Sequence, residues 1–64
     1  MKTMVLFDIA DQSFTFYTDE EWAKQIEEWR TELRDHENLD ADYMDVWEVI
    51  ECIGGDEYFY SKIV

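Results

Sequence analysis

The hydrophobic period of this chain changes at Thr18, and that switch restricts it to folds that set strands beside helices. Upstream, Ser13-Phe14-Thr15-Phe16-Tyr17 alternates, with Phe14 and Phe16 on one side of an extended chain and Ser13 and Thr15 on the other. The preceding run, Thr3-Met4-Val5-Leu6-Phe7-Asp8-Ile9, is β-prone and apolar on both sides, which predicts a well-covered strand. Ala10-Asp11-Gln12 supplies a polar connection, so the two runs read as an antiparallel hairpin. Downstream, Trp22, Ile26, Trp29 and Leu33 recur at helical spacing and form one apolar stripe of a helix running to about Asp35. Thr18 is placed to cap its free N–H groups, with Glu21 at the capping-box position three residues on. Asp19 and Glu20 sit in the first turn, where the positive end of the helix dipole favours them.

The segment after His36-Glu37-Asn38 is less decisive. As a strand, Val46 to Ile53 places a Glu on each face. As a helix, Leu39, Tyr43, Val46, Trp47, Ile50 and Ile53 fall in one arc about 120° wide that contains no acid. Helix is the better reading, with Asp40 as its cap and Gly54-Gly55 as its stop. Glu57-Tyr58-Phe59-Tyr60-Ser61-Lys62-Ile63-Val64 then reads as a closing strand. The expected architecture is one acidic α+β domain over residues 1–64, in the order β-β-α-α-β. Its three-stranded, mainly antiparallel sheet carries two helices on one face.

A core is feasible in so short a chain because of its aromatic bulk. Sixty-four residues bury only about 60% of the surface their unfolded form exposes. Three Trp, four Tyr and four Phe compensate, since each buried ring removes roughly 150–250 Å² from water. The single cysteine, Cys52, has no internal partner, which points to a reducing compartment or to no disulfide requirement at all, and it reads as a buried or half-buried residue. No segment reaches the roughly 18 apolar residues that span a bilayer. The short N-terminal apolar run, interrupted by Asp8, does not resemble a secretory leader, so a cytoplasmic location is expected, in a host cell if the source is a virus.

Charge separates the function classes. Seventeen Asp and Glu face five Lys and Arg, a formal net charge of −12. Acidic disordered chains lack apolar periodicity, and here 47% of residues are hydrophobic and patterned, so a folded anion is expected. Such a surface repels nucleic acid and anionic membranes and is attracted to basic clefts. Glu20, Glu21, Glu27, Glu28, Glu32 and Asp35 lie away from the first helix's apolar stripe, and Asp42, Asp45, Glu48 and Glu51 line the second helix. Glu28 and Glu32 form a like-charge pair one turn apart, a repulsion that solubility alone does not require. A small domain is well served by a net charge of about 2–8, so this excess points to a partner.

Nothing in the sequence assembles a catalytic centre. His36 sits in a charged connection and reads as an exposed residue. Cys52 neighbours Glu51, which disfavours a thiolate. Asp40-Ala41-Asp42-Tyr43-Met44-Asp45 has acids at the first, third and sixth positions of a calcium loop, but the tight turn at the sixth requires Gly where Asp45 stands. No metal and no cofactor is expected. Trp22, Trp29 and Trp47 read as core residues, while Tyr58 and Tyr60 share a strand face that would suit partner contacts if it were open.

In size, charge and acidic helix faces the chain resembles the small inhibitors of bacterial defence encoded by phages and plasmids. These are the anti-CRISPR proteins and the antirestriction DNA mimics. The features that carry the resemblance are Glu20-Glu21, Glu27-Glu28, Glu32 and Asp35, together with Asp42, Asp45, Glu48 and Glu51. It implies a monomeric, non-enzymatic inhibitor that blocks the DNA-binding surface or the nuclease recruitment of a CRISPR effector, a type I complex first, or covers the basic nucleic-acid-binding surface of a restriction enzyme. No direct contact with nucleic acid or membrane is implied. The alternative is an antidote or immunity module that neutralises a basic nuclease toxin with the same charges.

Overall fold

The computed structural model describes residues 1–63 and has the order expected from the sequence. Strand β1 (Met4–Asp8) pairs antiparallel with β2 (Ser13–Tyr17) on one side and with β3 (Tyr58–Lys62) on the other, giving the order β2-β1-β3. Helices α1 (Asp19–His36) and α2 (Val46–Gly54) lie on one face of this sheet. Thr3 and Ile9 fall outside β1, Glu57 and Ile63 outside β3, and the expected strand residue Val64 lies outside the described residues.

Local chemistry sets the element ends. In the β1–β2 turn the Asp8 carboxylate accepts the N–H groups of Ala10 and Asp11, and Gln12 adopts φ 53°. The capping box of α1 forms as the sequence predicts. Glu21 N–H donates to Thr18 Oγ1 at 3.1 Å, and Thr18 N–H donates to Glu21 Oε1 at 2.8 Å. At the other end Asn38 takes a left-handed φ of 55°, which Asn tolerates, and Leu39 N–H returns to the Leu33 carbonyl. Helix α2 stops at Gly55, whose φ of 62° lies where an L side chain is strained.

The second helix departs from expectation. Residues Ala41–Tyr43 form a separate 3-10 turn, and α2 begins at Val46 with Asp45, not Asp40, accepting the Glu48 N–H at 2.9 Å. Leu39 and Tyr43 therefore do not share the frame of α2, and both are exposed. Freed from them, the buried arc of α2 turns toward Val49, which is fully buried beside Ile50. Trp47 moves to the flank and is 49% exposed, so it is only partly the core residue expected. Cys52 shares the outer side of α2 with Glu48 and Glu51 and is exposed, contrary to the buried position expected.

The core has two connected parts. Leu33, Ala41 and Val49 pack together between the helices, joined by Trp29, Met44 and Ile53. Met4 and Leu6, buried on β1, lie on the sheet face that the helices cover. Aromatic rings join helices to sheet. Tyr60 lies between Trp22 and Trp47, at centroid distances of 5.3 and 4.2 Å, and Tyr58 meets Trp29 at 6.2 Å. Tyr17 adds an edge contact to Trp22 at 5.2 Å. At Gly54 an added Cβ would enter the Tyr58 ring, so the missing side chain is what lets that ring pack there.

Two candidate interaction surfaces

The helix layer carries the acids. On α1, Glu20, Glu27, Glu28 and Glu32 are all exposed and lie outside the Ile26–Leu33 stripe, Glu28 bordering a hollow beside Phe16 of β2. Glu28 and Glu32 stand four residues apart, about 6 Å along the axis. On α2, Glu48 and Glu51 face outward. The other candidate acids have partners within the molecule. Glu21 belongs to the capping box and also receives Lys2 Nζ at 2.5 Å. Asp35 lies 3.7 Å from Arg34 Nε, Asp42 accepts from Arg34 at 3.2 Å, and Asp45 caps α2. Among the described residues, ion pairs join only Lys2 to Glu21 and Arg34 to Asp35 and Asp42. The acidic surface is thus narrower than the sequence suggests, because capping and pairing take up four of its members.

The hydrogen bonds from Lys2 and from the Thr18 backbone hold the Glu21 carboxyl down to about 2. Burial against the rings, reinforced by neighbouring anionic or phenolic oxygens, pushes the Tyr17 and Tyr60 hydroxyls up from their ordinary range. Arg30 does not meet an acid. It donates to the carbonyls of Ala41 and Met44 at 2.5 and 2.7 Å, tying the 3-10 turn to α1. Asp42 and Asp45, read as possible members of a calcium loop, point to Arg34 and to the α2 N-terminus. His36 is exposed at the end of α1.

At the α2–β3 edge a hollow of 330 Å³ brings Glu51 and Asp56 beside Trp47, Tyr58 and Phe59. Carboxylates next to ring faces are the environment that a guanidinium or ammonium group prefers.

The second surface was missed by the sequence reading. Register places Val5 opposite Phe16 and Ser61, and Phe7 opposite Phe14 and Phe59. These six residues share the sheet face that the helices leave open. Phe14, Phe16 and Phe59 are 62%, 50% and 47% exposed, and Phe7 stacks on Phe14 at 4.7 Å. Only one side of β1 is covered, contrary to the fully covered strand expected. Tyr58 and Tyr60, expected as candidates for an open face, lie under the helices instead, because Trp22, Trp29 and Trp47 pack on them. The alternation of Phe14 and Phe16 was the available signal, but it does not say which face a helix will cover.

No family model matches the chain, and comparison with curated proteins and with solved structures finds no significant match. Among the described residues no helix is long and apolar enough to cross a membrane.

Proposed function

We propose that this chain is a binding protein whose acidic helix layer occupies a basic groove shaped for nucleic-acid phosphates. In this way it inhibits a DNA-handling protein of the kind its resemblance to defence inhibitors implies. The observation that carries this reading is the segregation of charge. Exposed carboxylates without cation partners gather on the helices, while the strand positions of the open sheet face hold no charged residue. A merely solvating surface has no need to concentrate like charges on one layer against their own repulsion. Glu28 and Glu32 lie about 6 Å apart along the axis, nearly two of the roughly 3.4 Å axial steps between phosphates of one DNA strand. The hollow at Glu51 and Asp56 supplies a seat for one cationic side chain of the partner.

The test is competition. A basic nuclease or CRISPR effector recovered with this chain from lysate should lose bound DNA as the chain is added, and the complex should weaken steeply with salt. The double substitution E28K/E32K should leave the fold intact and weaken inhibition at least tenfold, since each reversal opposes the partner's charge. Inhibition unchanged by that variant, or by salt, would overturn the reading. Rescue of cells from a basic nuclease toxin, with no effect on phage defence, would instead assign the same surface to an antidote.

A further inference from the structure

We propose that the open aromatic sheet face is the contact between two copies of this chain, packed sheet against sheet. An antiparallel sheet with one solvated face ordinarily turns polar residues outward. Here the outward positions are Val5, Phe7, Phe14, Phe16, Phe59 and Ser61, a set without a single charge in a molecule of net charge −12. Ile9 and Ile63 extend the patch at its ends, 45% and 47% exposed.

Charge selects the occupant. A basic partner finds counter-charge only at the rims of this face, where Glu28 borders Phe16 and Glu51 and Asp56 border Phe59. Two copies of a strongly anionic chain repel in every approach that brings helix layers together, and this face is the one whose strand positions can meet without opposing acids, the acids standing at its rim. Two stacked sheets lie about 10 Å apart, and a helix adds about 10 Å outside each. The acidic rows of the two copies then stand roughly 30 Å apart, more than three Debye lengths of about 8 Å. Both acidic layers stay exposed, so the dimer would present two partner-binding faces, back to back. The inference does not depend on what those faces bind.

The area is also in range. A half-exposed Phe offers about 100 Å² and the two Ile somewhat less, giving roughly 450 Å² of exposed apolar surface per copy. That is about a tenth of the 4641 Å² total, the share a standard interface takes from a small protein. Doubled, it lies just under the roughly 1,000 Å² at which specific interfaces begin, the size class of weak, reversible contacts. A groove of 210 Å³ between Phe7, Phe14 and Phe59 gives the facing rings room to interdigitate. This departs from the monomer expected from the sequence.

Sedimentation equilibrium on the full chain tests it. The wild type should pass from monomer to dimer below millimolar concentration, and added salt should favour the dimer, the opposite of its effect on a basic partner. F14S/F16S alters only half-exposed rings, so the far-ultraviolet spectrum should persist while the dimer weakens at least tenfold. A measurement on the wild type alone makes the test independent of that variant. On dilution, amide signals of β2 and of Phe59 should shift while those of Glu28 and Glu32 stay still. A wild type that remains monomeric to millimolar concentration in high salt overturns the proposal. So does a dimer whose dilution shifts map to the helices, and so does a monomer whose β2 signals move only when lipid vesicles are added.

Discussion

Arg30 and Arg34 are four residues apart on α1 and do different work. Arg30 sits half-buried and donates to two carbonyls, of Ala41 and Met44. Arg34 makes exposed ion pairs with Asp35 and Asp42, which solvent and salt screen. Arg30→Ala should therefore cost about 1.5–3 kcal/mol, the range for hydrogen bonds to a charged group. Arg34→Ala should stay within about 0.5 kcal/mol. Urea unfolding of the two variants checks the difference, and equal costs would mean that the 41–44 turn is not held by Arg30. Glu21 gives a second test at this scale. Its folded-state value near 2 lies below the ordinary 4.5, so the unfolded chain binds the proton first as pH falls. The stabilisation from Glu21 is present above about 4.5 and is lost as pH falls toward about 2. Glu21→Gln should flatten the stability profile in that acid window, as read by thermal melts, and leave its shape above pH 5 unchanged.

At the scale of elements, the informative contrast is between the two ends of the 40–45 segment. A helix beginning at Asp40 and one beginning at Asp45 make opposite predictions for the same pair of substitutions. Because Asp45 accepts the Glu48 N–H and Asp40 makes no side-chain cap, Asp45→Ala should cost about 1 kcal/mol and Asp40→Ala should be near neutral. Chemical denaturation of the two single variants decides it. The reason α2 starts late is packing. Ala41 is fully buried in one cluster with Leu33 and Val49. Arg30 then donates to the carbonyls of Ala41 and Met44 and ties the turn to α1. The stretch Ala41–Tyr43 is helical in period but not part of α2, which is why Tyr43, expected on the apolar arc, is 86% exposed.

For the whole molecule, the balance of forces is a thin core against strong self-repulsion. Seventeen acids with three ion-paired members leave the helix layer under mutual repulsion that salt should relieve. The melting temperature should rise as sodium chloride is added at pH 7. In E28K/E32K the rise should be smaller, because that variant has already lost a like-charge pair. A melting temperature that falls with salt would mean that the few ion pairs outweigh the repulsion, and that the acidic layer is an internally balanced surface. Salt therefore has three separable effects: it should stabilise the fold, favour pairing of copies through the sheet, and weaken a complex with a basic partner.

Where structure depends on neighbours in the chain, it was legible from the sequence. The capping box at Thr18 and Glu21, the stop at Gly54-Gly55, the period-2 and helical runs and the order β-β-α-α-β all follow from interactions a few residues long. So does the exposure of Glu20, Glu27, Glu28 and Glu32, since an apolar stripe on a helix defines its own opposite side. Tertiary structure alone decided which side of each pattern would be covered. Alternation places Phe14 with Phe16 and Tyr58 with Tyr60, but it is symmetric under exchange of faces. The exchange was settled when the indoles of Trp22, Trp29 and Trp47 packed on the tyrosine side. The phase of α2, the burial of Val49 and the exposure of Cys52 were likewise set by contact with Leu33 and Ala41, residues brought together only by the turn between the helices.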